Sequence, residues 1–180
     1  MSTILFHEIV YGPVHSRRMG ISLGINLLPN DGKLCSFDCI YCECGFNKDF
    51  KTNTRLPERE HIKAELEEKL QLLRKENIKL DVITFAGNGE PTLHPKFSKI
   101  IDDTLFLRNI YYPTVKISVL SNGVHLSKIK VFEALKKVDE PILKLDSAFD
   151  ETVRIINRPN SPTYSVAKQV EHYKKFEGDF

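Results

Sequence analysis

The sequence predicts an α/β domain built on a parallel β-sheet. Short apolar runs that end in glycine or in a polar residue alternate along the chain with longer segments that carry apolar residues at helical spacing. This alternation is typical of strand–helix–strand units, whose strands lie parallel in one sheet. A chain of 180 residues is long enough to bury a core, and we expect residues 1–180 to form a single domain.

Four segments are predicted to form the strands of this sheet. The first, 22–28, is followed by a cluster of turn-forming residues at 29–32. The second, 81–87, is a short apolar run that ends in a glycine. The third and fourth are 116–120 and 142–146, both apolar and β-branched in part.

Helices are predicted between and after these strands, where apolar residues recur three or four positions apart. The first spans about 57–77, and the second begins near Pro95 and continues past residue 105. Ser127 is expected to cap a third helix through its side-chain oxygen. Further helices are expected around 153–156 and over 163–176. The apolar positions of the first helix are Ile62, Leu66, Leu70 and Leu73.

Composition limits the class of protein. Hydrophobic residues make up 41% of the chain and charged residues 28%, as in a folded globular domain. The formal net charge of +2 is too small to favour nucleic acid as a partner. No apolar run approaches the ~20 residues of a membrane-spanning helix, and the first residues lack the pattern of a secretory signal. We therefore expect a cytoplasmic protein.

Three cysteines, Cys35, Cys39 and Cys42, follow the first predicted strand at close spacing. In a chain with no export signal, such a group is typical of a metal-binding or redox-active loop. Three thiolates could hold a 4Fe–4S cluster and leave one iron open to a small molecule. The alternative is a structural zinc site with Cys44 as fourth ligand, although the Cys42–Cys44 spacing suits a tetrahedron poorly. We expect Cys44 to be a free thiol beside the site.

A second candidate site follows the second predicted strand, at Gly87-Asn88-Gly89-Glu90-Pro91-Thr92. The segment could be a turn and nothing more, because Gly, Asn and Pro all favour turns. As a binding loop, it would let a ligand approach the backbone at Gly87 and Gly89. Its carbonyl groups and the Glu90 carboxylate could then receive an amine.

Further polar residues are expected at the same edge of the sheet, because ligands of parallel sheets bind at the carboxyl ends of the strands. Ser121 and Asn122 follow the third predicted strand, and Asp146 ends the fourth. Lys144 and Asp146 would share one face of that strand, either as a structural ion pair or at a binding site. The neighbouring Arg17 and Arg18 could bind a carboxylate or phosphate, or be solvated.

These motifs resemble those of the radical S-adenosylmethionine (radical SAM) superfamily. The three cysteines, with Tyr41 before the last of them, are similar to its CxxxCxΦC motif, and residues 87–91 are similar to its GGEP motif. More narrowly, residues 11–20 and 87–95 resemble radical SAM proteins grouped with wyosine-type tRNA-modifying enzymes. Members of that group carry a second cluster, whereas this chain has no second cysteine group.

The resemblance implies a fold, two cofactors and a reaction. The fold is a partial (βα) barrel, with about four strands of an expected six. A 4Fe–4S cluster would bind the methionyl part of SAM and, after reduction by a donor such as flavodoxin or ferredoxin, cleave it to give a 5′-deoxyadenosyl radical that abstracts hydrogen from a substrate. Tyr41 would lie by the adenine, and Gly89 with Glu90 by the methionyl amine. The expected cofactor-binding residues are Tyr41, Gly87, Asn88, Gly89, Glu90, Pro91, Ser121, Asn122 and Asp146.

The strand count leaves alternatives open. Either the chain is shortened, or another chain completes the barrel, and the fourth predicted strand would form an open edge that invites self-association. The chain could accordingly be an active enzyme, a truncated and inactive relative, or a binding module stabilised by zinc or a cluster.

Overall fold

The computed structural model describes residues 3–49 and 55–176. Its centre is a five-stranded sheet in the order β1-β2-β3-β4-β5. The strands are β1 (Val10–Ser16), β2 (Gly20–Ile25), β3 (Val82–Phe85), β4 (Lys116–Ser121) and β5 (Glu140–Leu143). Strands β2 to β5 are mutually parallel, and β1 pairs antiparallel with β2. This mostly parallel α/β sheet confirms the predicted fold class of a partial (βα) barrel.

The helices follow the predicted pattern. They are α1 (Arg59–Lys75), α2 (Phe97–Tyr111), α3 (Ile129–Leu135), α4 (Asp150–Ile156) and α5 (Val166–Tyr173). Short 3-10 helices lie at Asn47–Asp49, Pro91–Leu93, Val124–Ser127 and Lys174–Phe176. Among the described residues, no helix has the length and apolar character needed to cross a membrane.

Helix α1 shows how the sequence pattern becomes packing. Its four predicted apolar positions, Ile62, Leu66, Leu70 and Leu73, are all buried. They join β2, β3 and β4 side chains in the main hydrophobic core. Burial of each such side chain contributes roughly 1.5–3 kcal/mol relative to its exposure. The core thus fixes the position of the strands whose carboxyl ends carry the polar loops.

Strand β1 was not predicted from the sequence. It contains Gly12 and Pro13, which favour turns and interrupt strand patterns. Its pairing with β2 shifts register between Tyr11 and Val14, which indicates a β-bulge in the two residues that lie between them. Arg17 and Arg18 lie exposed in the turn between β1 and β2. That turn precedes β2, so both arginines lie at the opposite end of the sheet from the strand-end loops.

Two further local predictions need correction. Ser127 ends a 3-10 helix, while α3 begins at Ile129 after Lys128 with no side-chain cap. The last strand ends at Leu143, earlier than predicted, so Lys144 and Asp146 lie in the loop that follows β5. The amide of Lys144 donates to the Ser121 carbonyl at 3.0 Å, and the chain then leaves the sheet. Strand β5 pairs only with β4 in the described part of the chain, so it forms an edge.

Candidate active site

The strand-end loops enclose one cavity of about 250 Å³. It lies at the carboxyl ends of the parallel strands, which is where α/β sheets bind ligands. The sheet therefore brings together most of the residues that the sequence selected from four separate segments. The lining includes Cys35, Cys39, Tyr41, Cys42, Gly87, Gly89, Glu90, Ser121, Asn122 and Lys144. Asn88, Pro91, Asp146 and Cys44 are not part of this lining.

The cysteine loop, defined as residues 35–44, is held by a segment far away in the sequence. The amides of Asp38 and Ile40 donate to the carbonyls of Asn157 and Ile156, each at 2.9 Å. Phe37 forms a β-bridge with Pro159 in the same stretch. These bonds place the loop against the end of α4 and the residues that follow it. The sequence carries no evident signal for this pairing.

Each of the first two cysteine sulfurs accepts hydrogen bonds. The Cys39 sulfur lies 2.9 Å from the Lys144 ammonium and 3.4 Å from the Asn157 amide nitrogen. The Cys35 sulfur accepts a bond from the Phe37 amide at 3.4 Å. Burial raises the pKa of Cys35 to about 11. Hydrogen bonds of this kind orient the sulfur atoms of metal-binding cysteines.

Cys42 and Cys44 form a pair with opposite character. A hydrogen bond from Cys44 is the main reason that the pKa of Cys42 falls to about 5, and Lys33 lowers it further. The same hydrogen bond and burial raise the pKa of Cys44. Cys44 is 8% exposed, and its sulfur also lies 3.6 Å from the Gly87 carbonyl oxygen. Cys42 lines the cavity, whereas Cys44 lies behind it and outside the lining.

The glycine loop, defined as residues 87–91, crosses the start of the cysteine loop at close range. Gly89 has φ of +137°, and a Cβ there would lie 1.9 Å from the Leu34 carbonyl oxygen. A Cβ at Gly87 would lie 2.3 Å from the Asn26 side-chain oxygen. Only glycine fits this approach. Leu34 and Gly89 form a parallel β-bridge, which fixes the two loops relative to each other.

Asn88 is a structural brace that points away from the cavity. Its side chain is fully buried. Its amide nitrogen donates to the carbonyls of Phe6 and Pro29, each at 2.8 Å, and its oxygen accepts from the Phe6 amide at 2.8 Å. Asn88 therefore anchors the glycine loop to the N-terminal segment.

Glu90 ties the glycine loop to the end of β4. Its side chain is 2% exposed. One carboxylate oxygen accepts from the Thr92 hydroxyl at 2.5 Å and from the Ser121 hydroxyl at 2.8 Å, and the other accepts from the Asn122 amide at 2.7 Å. Burial is the main reason that the pKa of Glu90 is raised. Internal donors thus engage both oxygens of the residue predicted to meet an amine.

A polar network joins the loop after β5 to the cysteine loop. Lys144 and Asp146 form an ion pair at 3.1 Å. The Tyr41 hydroxyl donates to Asp146, and the Asn157 amide nitrogen donates to the same carboxylate at 2.5 Å. Burial raises the pKa of Tyr41 to about 12, and the bond to Asp146 adds to that shift. Asp146 thus orients Tyr41 and Lys144 from outside the cavity lining.

Sequence reasoning missed two buried polar side chains that contact this site. Asn157 is 1% exposed and contacts Cys39, Tyr41 and Asp146. Asn157 follows the last residue of α4, and nothing in the sequence there indicates a contact with the cysteine loop. Lys33 is buried beside the loop, and a lysine two residues before a cysteine group was a signal that could have been noticed.

The donor set has the chemistry of a cluster site. Within residues 3–49 and 55–176, no three or more His, Cys, Asp or Glu side chains group around one metal-ion position. A 4Fe–4S cluster makes a different demand, because each of its cysteine ligands binds a different iron. Cys35, Cys39 and Cys42 line one cavity, so their placement is compatible with a cluster.

Known proteins match this chain over most of its length. A protein of Brachyspira hyodysenteriae named "GTPase Obg" is 35% identical over 175 residues, which cover 95% of this chain and 24% of that protein. A "UPF0026 protein" of Helicobacter pylori is 36% identical, covering 85% of this chain and 47% of that protein. A UPF0026 protein of Methanocaldococcus jannaschii is also 36% identical, over 84% of this chain and 44% of its own. The chain thus spans less than half the length of each.

A family model covers the whole of the site described above. The model of the Radical SAM superfamily matches residues 30–176, which contain both the cysteine loop and the glycine loop. The chain belongs to the radical SAM superfamily.

Proposed function

We propose that this chain binds a 4Fe–4S cluster through Cys35, Cys39 and Cys42 and uses it to cleave SAM reductively. The observation that carries the proposal is the single cavity that these three cysteines share with the glycine loop and the end of β4. Membership in the superfamily supports radical chemistry that begins with SAM.

The bound cluster would supply an electron that splits SAM into methionine and a 5′-deoxyadenosyl radical. The protein would supply position and charge. Cys42, whose pKa is lowered to about 5, would bind iron as a thiolate without a large cost for loss of its proton. Lys144 lies 2.9 Å from the Cys39 sulfur and lines the cavity. It would therefore offset negative charge on the thiolates and attract a carboxylate.

The glycine loop would bind the methionyl part of SAM through its backbone. Gly87 and Gly89 line the cavity with no side chain between the backbone and a ligand. Glu90, whose oxygens are engaged by Thr92, Ser121 and Asn122, would hold those groups in place and add negative charge for the amine. Asn88 and Pro91 would act as supports of the loop.

The remaining predicted contacts belong to the other wall of the cavity. Tyr41 is 54% exposed, so its ring is free to lie against an adenine. Ser121 and Asn122 would face the ribose and the carboxylate, and Asp146 would orient Tyr41. The electron would come from a soluble donor such as flavodoxin or ferredoxin, consistent with the expected cytoplasmic location.

The narrower grouping with wyosine-type tRNA-modifying enzymes rests on the motifs at 11–20 and 87–95. Members of that group carry a second cluster, whereas residues 1–180 contain one cysteine group.

Anaerobic reconstitution tests the proposal. Protein supplied with iron, sulfide and reductant should turn brown and contain about four irons per chain, and added SAM should give 5′-deoxyadenosine. Cys42→Ala should abolish both results, and Cys44→Ser, which keeps a hydrogen-bond donor beside Cys42, is the matched control that should retain them. A colourless protein that retains zinc would support the binding module instead. A brown protein that forms no 5′-deoxyadenosine would identify an inactive relative.

A further inference from the structure

Lys33 places a positive charge inside the protein, directly behind the cysteine loop. Its side chain is 1% exposed. The ammonium lies 3.1 Å from an Asp38 carboxylate oxygen and 2.9 Å from the Gly45 carbonyl oxygen. A buried ammonium is costly unless hydrogen bonds and negative charge compensate it. The position of this lysine therefore requires an explanation.

The compensation provided by the protein alone is limited. Asp38 is the one carboxylate that pairs with Lys33 in the described part of the chain, and its side chain is 23% exposed. The same Asp38 oxygen also accepts a bond from the Asn47 amide at 2.8 Å. The two groups that Lys33 contacts belong to the cysteine loop or adjoin it, because Asp38 precedes Cys39 and Gly45 follows Cys44. The ammonium therefore lies against the loop that carries the proposed iron ligands.

Lys144 also contacts the cysteine loop, but its situation differs. Its side chain is 27% exposed, lines the cavity and pairs with Asp146. A ligand that enters the cavity can change the surroundings of Lys144. Lys33 does not line the cavity, so a ligand that enters the cavity leaves the surroundings of Lys33 unchanged.

We propose that Lys33 is a positioning residue that sets the reduction potential of the cluster bound by the cysteine loop. This inference rests on the function proposed above. Reduction adds one negative charge to the cluster, and a fixed cation beside the cysteine loop stabilises the reduced form more than the oxidised form. Local charge and hydrogen bonds to sulfur are among the factors that set the potential of such a cluster.

Three variants test the inference. Lys33→Met keeps much of the apolar stem and removes the charge. Asp38→Asn removes the opposing carboxylate and leaves the lysine less compensated. Lys48→Met is the matched control, because Lys48 is an exposed lysine just after the cysteine loop. Each reconstituted protein is titrated potentiometrically, with the reduced cluster measured by electron paramagnetic resonance and the iron content measured in parallel.

We expect Lys33→Met to lower the ratio of reduced to oxidised cluster about tenfold at the wild-type midpoint potential, which corresponds to a fall of about 59 mV for a one-electron couple. Asp38→Asn should shift the ratio in the opposite direction, and Lys48→Met should leave it unchanged. Opposite shifts from the two partners of one ion pair distinguish a charge effect from a loss of loop structure, which would act in the same direction in both.

Specific results would overturn the inference. Equal midpoints in wild type and Lys33→Met would do so, as would a lower iron content in that variant with no change of midpoint. If Lys33→Met holds no cluster, Asp38→Asn decides alone, and an unchanged or lowered midpoint there rejects the charge effect. Failure of the wild type to bind a cluster would instead reject the proposed function, and the role of Lys33 with it.

Discussion

The two loops that meet at the cavity are stabilised in different ways. The glycine loop at 87–91 is buried, with Asn88 fully enclosed and Glu90 2% exposed. Its polar side chains bond within the protein, to Phe6, Pro29 and the β4 end. Such a loop keeps its shape without a cofactor.

The cysteine loop at 35–44 is more open. Cys35 and Cys42 are half-buried, while Ile40 is 43% and Tyr41 54% exposed. Its backbone bonds go to residues 156–160, and its sulfurs accept bonds from Lys144 and Asn157. The glycine loop is therefore a rigid wall, whereas the cysteine loop presents sulfur atoms that a cofactor would bind.

The largest expected effect separates cofactor binding from folding. Cys35→Ala, Cys39→Ala or Cys42→Ala should each abolish the visible absorption of the reconstituted cluster, because each removes one thiolate. The free energy of unfolding of the metal-free protein, measured with urea, should change by about 1 kcal/mol or less for the half-buried Cys42. Cys44→Ala should keep the absorption, and bleaching by that variant alone would make the ligand assignment wrong.

At the glycine loop, by contrast, a substitution is expected to change the stability of the metal-free protein. Glu90→Ala should lower the free energy of unfolding of the metal-free protein by about 3 kcal/mol, because it leaves the buried donors of Thr92, Ser121 and Asn122 without an acceptor. Glu90→Gln, which keeps one acceptor oxygen, should cost less. Calorimetry should also show weaker SAM binding in Glu90→Ala at unchanged iron content. Unchanged stability with weaker SAM binding would show that Glu90 acts on the ligand rather than as a brace.

A smaller effect is expected where the cysteine loop meets α4. Asn157→Ala should lower the free energy of unfolding by about 1–2 kcal/mol, because it removes donors to Asp146, Tyr41 and Cys39. The reconstituted variant should also lose iron to a chelator faster than wild type. Asn160→Ala is the control, since this exposed side chain donates to a backbone carbonyl, that of Cys35, rather than to a sulfur or a carboxylate. Equal rates of iron loss in the two variants would remove Asn157 from the support of the site.

The smallest effect should come from Thr92→Val. The change keeps the side-chain shape and the Thr92 amide bond to Glu90 at 3.2 Å, but removes the hydroxyl that donates to Glu90 and contacts His125 at 3.0 Å. We expect a loss of about 1 kcal/mol in the free energy of unfolding. Thermal denaturation of the metal-free protein measures it, and a loss as large as that of Glu90→Ala would mean that the hydroxyl dominates the brace.

The sequence predicted the parts of the fold that follow a regular period. The four parallel strands and the buried face of α1 could be identified because apolar residues repeat at strand or helix spacing. Strand β1 was not predicted because its pairing with β2, rather than its own composition, makes it a strand. Tertiary pairing of this kind leaves no periodic trace in a segment that contains Gly12 and Pro13.

The candidate site shows the same limit. Its residues from the cysteine motif and the strand ends could be selected, because parallel strands place their carboxyl ends together. The direction in which each side chain points could not be predicted. Asn88 points away from the cavity and bonds to Phe6 in the N-terminal segment, whereas Glu90 bonds to Asn122 at the end of β4. Such choices depend on partners tens of residues away, as does the contact between Asn157 and Cys39, 118 positions apart.

The pairing of the cysteine loop with residues 156–160 also has a consequence for the order of assembly. The bonds from Asp38 and Ile40 to this segment close a loop of more than a hundred residues, which is entropically unfavourable until the intervening sheet has formed. The cysteine loop should therefore acquire its structure late in folding, after residues 156–160 have been synthesised and the sheet has formed. Pulsed hydrogen exchange should show protection of the Ile40 amide after that of the β3 amides. Iron would then enter a domain whose sheet is already folded, so the supply of clusters would act as a control on maturation rather than on folding.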